Sequence, residues 1–459
     1  MSDFRNRSAK KVAVLDAVDR LQLAQRRRWR LALPIVALGC NPASTGGAPP
    51  DARGCGDWPV RPGENFVSLD GESQFEAEPF LIVRDGDTAI AWEAAGCDGR
   101  TRIGYTRRGQ QGSFERPRYF ASPNGQMTSN ITLARNQVGS LFVAWASWTP
   151  GPDPGQPQVQ VSDIRIQFAT WPTGTNGFGQ PIELSEPIAN ALYDKPWMIL
   201  TSDDGIVIGY SDLRRGGIWA ASSTDAGATF RRTLVDATMA NLAALCPDGR
   251  PGGAFITYFA NQSVRLAHTA DGGLTWSAPM EVAPTNPTNH VACQDPMCVA
   301  QGDEVWISYG RTRDAYDAPV ARLQSVHVAH ASLGASAIDR DTFVFDATVG
   351  ADGGEATGYL LFPQLARHND GSLGLAAYQT NGPDMGSADL VYKVSTDGGR
   401  TFGKDASLAT GLTPSLQRHV PNWLGDYFGW SATPAGFAAA FIDNASGISH
   451  VVIRETTSR

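Results

Sequence analysis

Apolar residues along this chain recur with a period of two. From Phe66 onward, short alternating runs are punctuated by Gly, Asp and Asn, and the 3.6-residue periodicity of amphipathic helices is scarce beyond residue 30. The runs come in pairs with a common plan: a polar or acidic residue, often before Pro, an apolar strand, a Gly or Asp turn, and a second strand ending in an aromatic and a polar residue. Such units open at Glu78 (EPFLIVRDGDTAIAWEA), Asn130 (NITLARNQVGSLFVAWAS), Asp194 (DKPWMILTSDDGIVIGYSD), Ala243 (AALCPDGRPGGAFITYFAN), Asp295 (DPMCVAQGDEVWISYGR), Phe362 (FPQLARHNDGSLGLAAYQT) and Gly425 (GDYFGWSATPAGFAAAFID). The pattern predicts an all-β chain built from seven repeated hairpins.

A second repeat falls between a third and a fourth strand of these units. SSTDAGATF from Ser222, HTADGGLTW from His268 and VSTDGGRTF from Val394 share five slots: a hydroxyl residue, an Asp, a Gly, a Thr and an aromatic. A short side-chain oxygen accepts hydrogen bonds from the N–H groups of its own turn, and Gly supplies positive φ. Thr and an aromatic ring then open the next strand, where both fit a half-buried pleated face. Asp225, Asp271 and Asp397 are therefore expected to form turns. Units one and two keep only a remnant, ending in Phe114 and Phe178.

These three stretches, at 223–230, 269–276 and 395–402, resemble the Asp box (BNR repeat) of sialidases and related β-propellers. The resemblance covers about residues 64–454 and implies a radial propeller, each blade packed on its neighbours, with the boxes on the face away from the site. Seven blades are favoured, and six stay open because sialidases have six and the unit at Asp295 is long and irregular. The last unit ends after HVVIRE, three strands in. ENFVSLDG from Glu64 can supply the missing outer strand, which closes the ring and removes two exposed edges.

Residues 1–40 read as an export signal: Arg26, Arg27, Arg28 and Arg30 precede the apolar stretch LALPIVALG, and Cys40 follows. The segment is similar to a bacterial lipoprotein signal, which implies lipidation of Cys40 and a place in the cell envelope at the outer membrane or cell surface, or secretion if Cys40 is not lipidated. Nine apolar residues are too few for the roughly 20 that cross a bilayer. Residues 41–63 are rich in Pro, Gly and small residues and read as a tether to a single domain at 64–459. Without residues 1–39, which hold nine of 38 Lys and Arg and three of 46 Asp and Glu, 29 basic and 43 acidic residues remain, a net charge of about −14. That field repels polyanions, so nucleic acid is excluded as a partner. Five cysteines besides Cys40 leave at least one thiol unpaired: Cys55 with Cys97 suits a clasp of the tether, and two of Cys246, Cys293 and Cys298 can pair. No spacing suggests a metal loop, and nothing points to an organic cofactor.

In propellers, residues ahead of the inner strand and residues ending the second strand meet at one mouth of the channel. The first group includes Glu78, Asp194, Lys195, Trp197, Asp295, Asp426 and Tyr427, and the second includes Glu93, Asp212, Arg214, Arg215, Arg311 and Arg313. Carboxylates, guanidinium groups and rings in one basin suit a sugar: polar forks for hydroxyls, aromatic faces for the ring. Glu78, Trp197, Asp295 and Asp426 are the expected binding residues. The sialidase resemblance implies three Arg that hold a carboxylate, a Tyr nucleophile and an Asp acid, for which Arg214, Arg311, Arg313, Tyr427 and Asp194 are the candidates. The FRIP-like motif of that family is absent, the corresponding strand reading FLIVR with Arg84 at its far end. Two functions follow as expectations: a monomeric propeller that binds a carbohydrate or protein ligand at its mouth, or an exo-acting glycosidase.

Overall fold

A computed structural model describes residues 67–68, 73–96, 100–109, 112–149, 162–260, 263–284, 296–311, 324–347, 358–380, 387–412, 415–416, 421–423, 425–443 and 449–456. Seven antiparallel sheets radiate from a central channel. Six have four strands in chain order, and the seventh has three: Gly429–Thr433, Gly436–Asp443 and His450–Glu455. Each sheet's first strand is innermost. These are Ser73–Arg84, Met127–Arg135, Tyr193–Leu200, Ala240–Pro247, Met297–Gln301, Leu360–Arg367 and Gly429–Thr433, and each packs on the next, the last on the first. The protein is a seven-bladed β-propeller, and the seven hairpin units are its seven inner hairpins.

The core follows from this geometry. It is divided into seven apolar layers, one between each pair of neighbouring blades, including one between the seventh and the first. The aromatic that ends each second strand is the large ring of its blade: Trp92, Trp145, Tyr210, Tyr258, Tyr309, Tyr378 and Phe441 are at most 2% exposed.

The repeated turns join third to fourth strands and make the same four hydrogen bonds three times. In the first, Ser223 Oγ donates to Asp225 Oδ1 (2.7 Å) and accepts from the Gly227 N–H (2.9 Å), while the Thr229 N–H and Oγ1 donate to Asp225 Oδ1 (2.9 Å) and Oδ2 (2.6 Å). Asp271 and Asp397 repeat the pattern. All three aspartates are turn formers. Gly227 has φ 86°, and a Cβ there would lie 2.4 Å from Cε1 of Phe168 in the preceding blade, so this glycine serves both the turn and the blade contact. Phe230 packs on the same Phe168 ring at 4.8 Å, so the turn also staples neighbouring blades.

Ring closure centres on Glu76. Val67 donates its N–H to the Val451 carbonyl at 3.0 Å, which seats residues 67–68 beside the outermost strand of the seventh blade, where the closing strand is expected. Glu76, fully buried on the first inner strand, accepts hydrogen bonds from Ser68 Oγ, from Trp92 Nε1 (3.0 Å) and from the Val451 N–H (2.9 Å). A disulfide between Cys246 and Cys298 ties the inner strands of the fourth and fifth blades, one of the pairings open from the sequence. Cys40, Cys55, Cys97 and Cys293 lie outside the described residues.

Removing the Glu76 carboxylate takes the acceptor from Ser68 Oγ and from Trp92 Nε1 and leaves the Val451 N–H of the seventh blade with Ser68 Oγ alone. Glu76→Ala is expected to lower the unfolding free energy by about 3 kcal/mol or more, measured by urea denaturation. An unchanged midpoint would show that closure does not depend on this group.

Candidate functional site

Five of the seven inner strands carry one non-glycine residue at positive φ near their start: Glu78 (50°), Asn130 (50°), Lys195 (52°), Leu242 (60°) and Phe362 (52°). Pairing with the second strand slips at each of these places. The recurring bulge bends the strand and re-aims the residue that carries it. Holding such a residue in the left-handed region costs of order 1–3 kcal/mol, so the surrounding packing must enforce it. In the first and third blades it brings Glu78 and Lys195 into one cluster with Asp426, which precedes the inner strand of the seventh.

Within that cluster, Glu78 accepts from the Asn130 N–H at 2.9 Å and the Asp426 N–H at 3.2 Å, and the Asn130 amide reaches it at 3.3 Å. Lys195 Nζ forms an ion pair with Asp426, linking the third blade to the seventh, and lies 5.8 Å from the centre of the Tyr427 ring. Asp194 accepts the Lys195 N–H at 2.9 Å. Behind them Glu93 lies near the end of the second strand of the first blade, Asp87–Gly96, with Oε2 buried and without a hydrogen-bond partner among the described residues. Glu78, Glu93, Asp194 and Lys195 are each at most 7% exposed.

Burial governs the protonation of this cluster. It raises Glu78 to about 8, opposed by Lys195 and reinforced by Asp426. Asp194 rises to about 6 for the same reason, again opposed by Lys195. Glu93 is pushed well above the usual carboxylate range by burial and then by the charge of Glu78. Near neutral pH, then, Glu78 is largely protonated and can donate a hydrogen bond, and Asp194 is mostly ionised with a pKa close enough for proton transfer.

Three rings close the channel beneath the cluster. Phe80 and Trp197 meet at 5.1 Å between centroids, Trp197 and Tyr427 at 5.9 Å, and Phe80 and Tyr427 at 6.4 Å, all near edge-to-face. They come from the first, third and seventh blades. Thr132, two residues after the second-blade bulge, accepts the Met198 N–H at 3.1 Å beside Trp197.

The expected residues divide accordingly. Glu78, Asp194, Trp197, Asp426 and Tyr427 come together. The Tyr427 ring is buried, and its hydroxyl donates to the Ile131 carbonyl at 2.7 Å. Arg214 and Arg311 stay outside the cluster. Arg214 is exposed and donates from its guanidinium to the Asn190 carbonyl, while Arg311 turns into its own blade, to Tyr309 Oη (2.9 Å) and Asp341 Oδ2 (2.8 Å). Neighbouring Arg215 is held by Asp212 at 2.7 Å and by Glu186. Asp295 and Arg313 lie outside the described residues. Two participants not expected at the site are Asn130 and Phe80. Unit alignment carries the signal for both, since Asn130 occupies the slot of Glu78 and Lys195, and Phe80 follows its bulge residue by two positions, as Trp197 does.

No protein-family model matches the chain, and no curated protein matches it. Solved structures match it in fold. A polysaccharide lyase of family PL25, an ulvan lyase bound to -[GlcA(1-4)Rha3S]-, has a TM-score of 0.52 at 13% identity, with 85% of this chain and 94% of that chain covered. A Hadza microbial sialidase has a TM-score of 0.48 at 15% identity, covering 85% of this chain and 67% of that one. The NanB sialidase from Streptococcus pneumoniae gives 0.48 at 10% identity, covering 68% and 67%. At these identities the likeness is one of fold.

Raised carboxyl pKa values make folding take up protons, and the sign fixes the pH dependence. Between the ordinary value of 4.5 and about 8, Glu78 binds more proton in the folded than in the unfolded chain, so stability falls as pH rises through that window. Glu78→Gln, neutral at every pH, is expected to flatten this fall in urea unfolding measured from pH 4.5 to 8. An identical slope in the variant would place the proton uptake elsewhere.

Proposed function

We propose that the protein binds a glycan at the channel mouth, acting outside the cell and held there by a lipid on Cys40 as its leader implies. The observation that carries the reading is the cluster of Glu78, Asp194, Lys195 and Asp426 set over the Trp197 and Tyr427 rings. Sugar hydroxyls need paired donors and acceptors in fixed positions, and sugar C–H faces need aromatic surface. Asp194 and Asp426 accept, Lys195 donates, and protonated Glu78 donates or accepts. Carboxyl groups outnumber the one ammonium here, and neither Arg214 nor Arg311 joins them, so a neutral glycan suits the cluster better than an acidic one. The likeness in fold to a polysaccharide lyase agrees with a glycan ligand.

The test is a glycan array followed by titration calorimetry of the best ligand against wild-type protein, Trp197→Ala and Asp426→Asn. Each substitution is expected to weaken binding by about tenfold or more, the equivalent of about 1.4 kcal/mol. Absence of any bound glycan at high protein concentration would overturn the reading.

Glycoside hydrolysis is the second reading, favoured by the raised pKa of Asp194, which at about 6 suits a general acid. With Tyr427 as nucleophile, the hydroxyl would have to leave the Ile131 carbonyl. Turnover of fluorogenic sialosides and neutral glycosides is expected to drop by about 10²–10⁴-fold in Asp194→Asn and to vanish in Tyr427→Phe. Equal rates in wild type and both variants would remove the catalytic assignment.

A further inference from the structure

The channel has a second end. Below the Phe80–Trp197 contact it widens into a cavity of about 1300 Å³ that opens on the opposite face, among the turns of the inner hairpins at Asp85, Asn369 and Pro434. This exceeds the roughly 300–1000 Å³ of ordinary ligand pockets. Partly exposed apolar side chains lie along its wall: Ile82, Val83, Trp197, Leu200 and Val299.

The rim is basic, although the whole chain is acidic. Four arginines line the cavity, and two are neutralised: Arg108 pairs with Glu455, and Arg135 pairs with Asp87 at 2.7 Å. The other two are not matched in this way. Arg84 donates to the Arg135 carbonyl at 2.6 Å, and its carboxylate partner, Asp85 at 3.8 Å, is 89% exposed to solvent, an ion pair of a kind that contributes little. Arg367 has no carboxylate within 4.0 Å among the described residues. Its guanidinium lies over the Trp306 ring at 5.7 Å and donates to Gln301 Oε1, while Nε is buried without an acceptor. Burial holds this guanidinium below its ordinary pKa, opposed by the charge of Asp370.

We propose that this cavity binds an amphipathic anion, a molecule with an apolar tail and one carboxylate or sulfate. The tail lies along the apolar wall towards Trp197, and the head group pairs with Arg84 and Arg367 at the rim. An apolar tail gains from leaving water, about 0.8 kcal/mol for each buried CH₂. The anionic head gains from guanidinium groups whose hydrogen bonds go to the neutral Arg135 carbonyl and Gln301 Oε1, which leave their charge uncompensated. Tail and head therefore face the two chemistries that the cavity separates along its axis. The site is independent of the channel mouth, from which the aromatic plug divides it.

Dodecanoate is the probe, titrated calorimetrically into the full-length protein below its micelle concentration, beside dodecanol and acetate. One saturable dodecanoate site is expected, with affinity reduced about tenfold or more in the Arg84→Gln/Arg367→Gln double variant. Dodecanol should bind wild type and variant alike, and acetate should bind neither measurably. Should the double variant not fold, added salt on the wild-type protein makes the same division, weakening dodecanoate and sparing dodecanol. A brominated dodecanoate should quench tryptophan fluorescence, and part of that quenching should disappear in Trp430→Phe. Failure of dodecanoate to saturate, equal affinity in the double variant and at high salt, or quenching unchanged in Trp430→Phe would each overturn the proposal.

Discussion

Every blade of this protein is a sheet too small to bury its own faces, so stability rests on packing blade against blade around a closed ring. Seven apolar layers fill the spaces between blades, and the layer between the seventh and the first exists only because the two ends of the chain meet. A radial array that failed to close would leave two apolar faces and two strand edges exposed. Glu76 sits at that seam, buried, and joins residues 67–68 and the first blade to the outermost strand of the seventh, 375 residues away in sequence. A polar group at such a junction adds direction to a contact that apolar packing alone would leave free to slide.

Closure also creates the site. Glu78, Lys195 and Asp426 belong to the first, third and seventh blades, and only a ring brings them within reach of one another. Bulges in the inner strands turn Glu78 and Lys195 towards that point, and the ring buries the result. Burial then raises Glu78 and Asp194 well above their ordinary values, so the seam that stabilises the fold also sets the chemistry of the mouth. The same closure leaves a channel, which three rings divide into a carboxyl-rich mouth above and an arginine-rimmed cavity below.

Much of this was legible before any coordinates. Repeats are local, and each hairpin carried its own turn chemistry, so the seven units and the three Asp-containing turns could be read directly. The expectation that Asp225, Asp271 and Asp397 form turns rested on side-chain reach within five residues, and the hydrogen bonds follow it. Proximity of Glu78, Asp194, Asp426 and Tyr427 followed from their equivalent positions in the repeat. Orientation was harder to read. Arg214 and Arg311 occupy positions that could have faced the mouth, but each found a partner within its own blade or in the preceding loop, because a guanidinium takes the nearest well-placed acceptor.

What the sequence determined by itself is therefore whatever depends on short range: strand and turn identity, blade number to within one, and which carboxylates and rings gather at the channel mouth. Tertiary structure decided the ion pair between Lys195 and Asp426, the protonation of Glu78, the Cys246–Cys298 pairing and the aromatic plug. Each of these depends on the distance and burial of residues remote in the chain. Both are properties of the closed ring rather than of any one repeat, since a blade in isolation has neither a channel nor a buried seam.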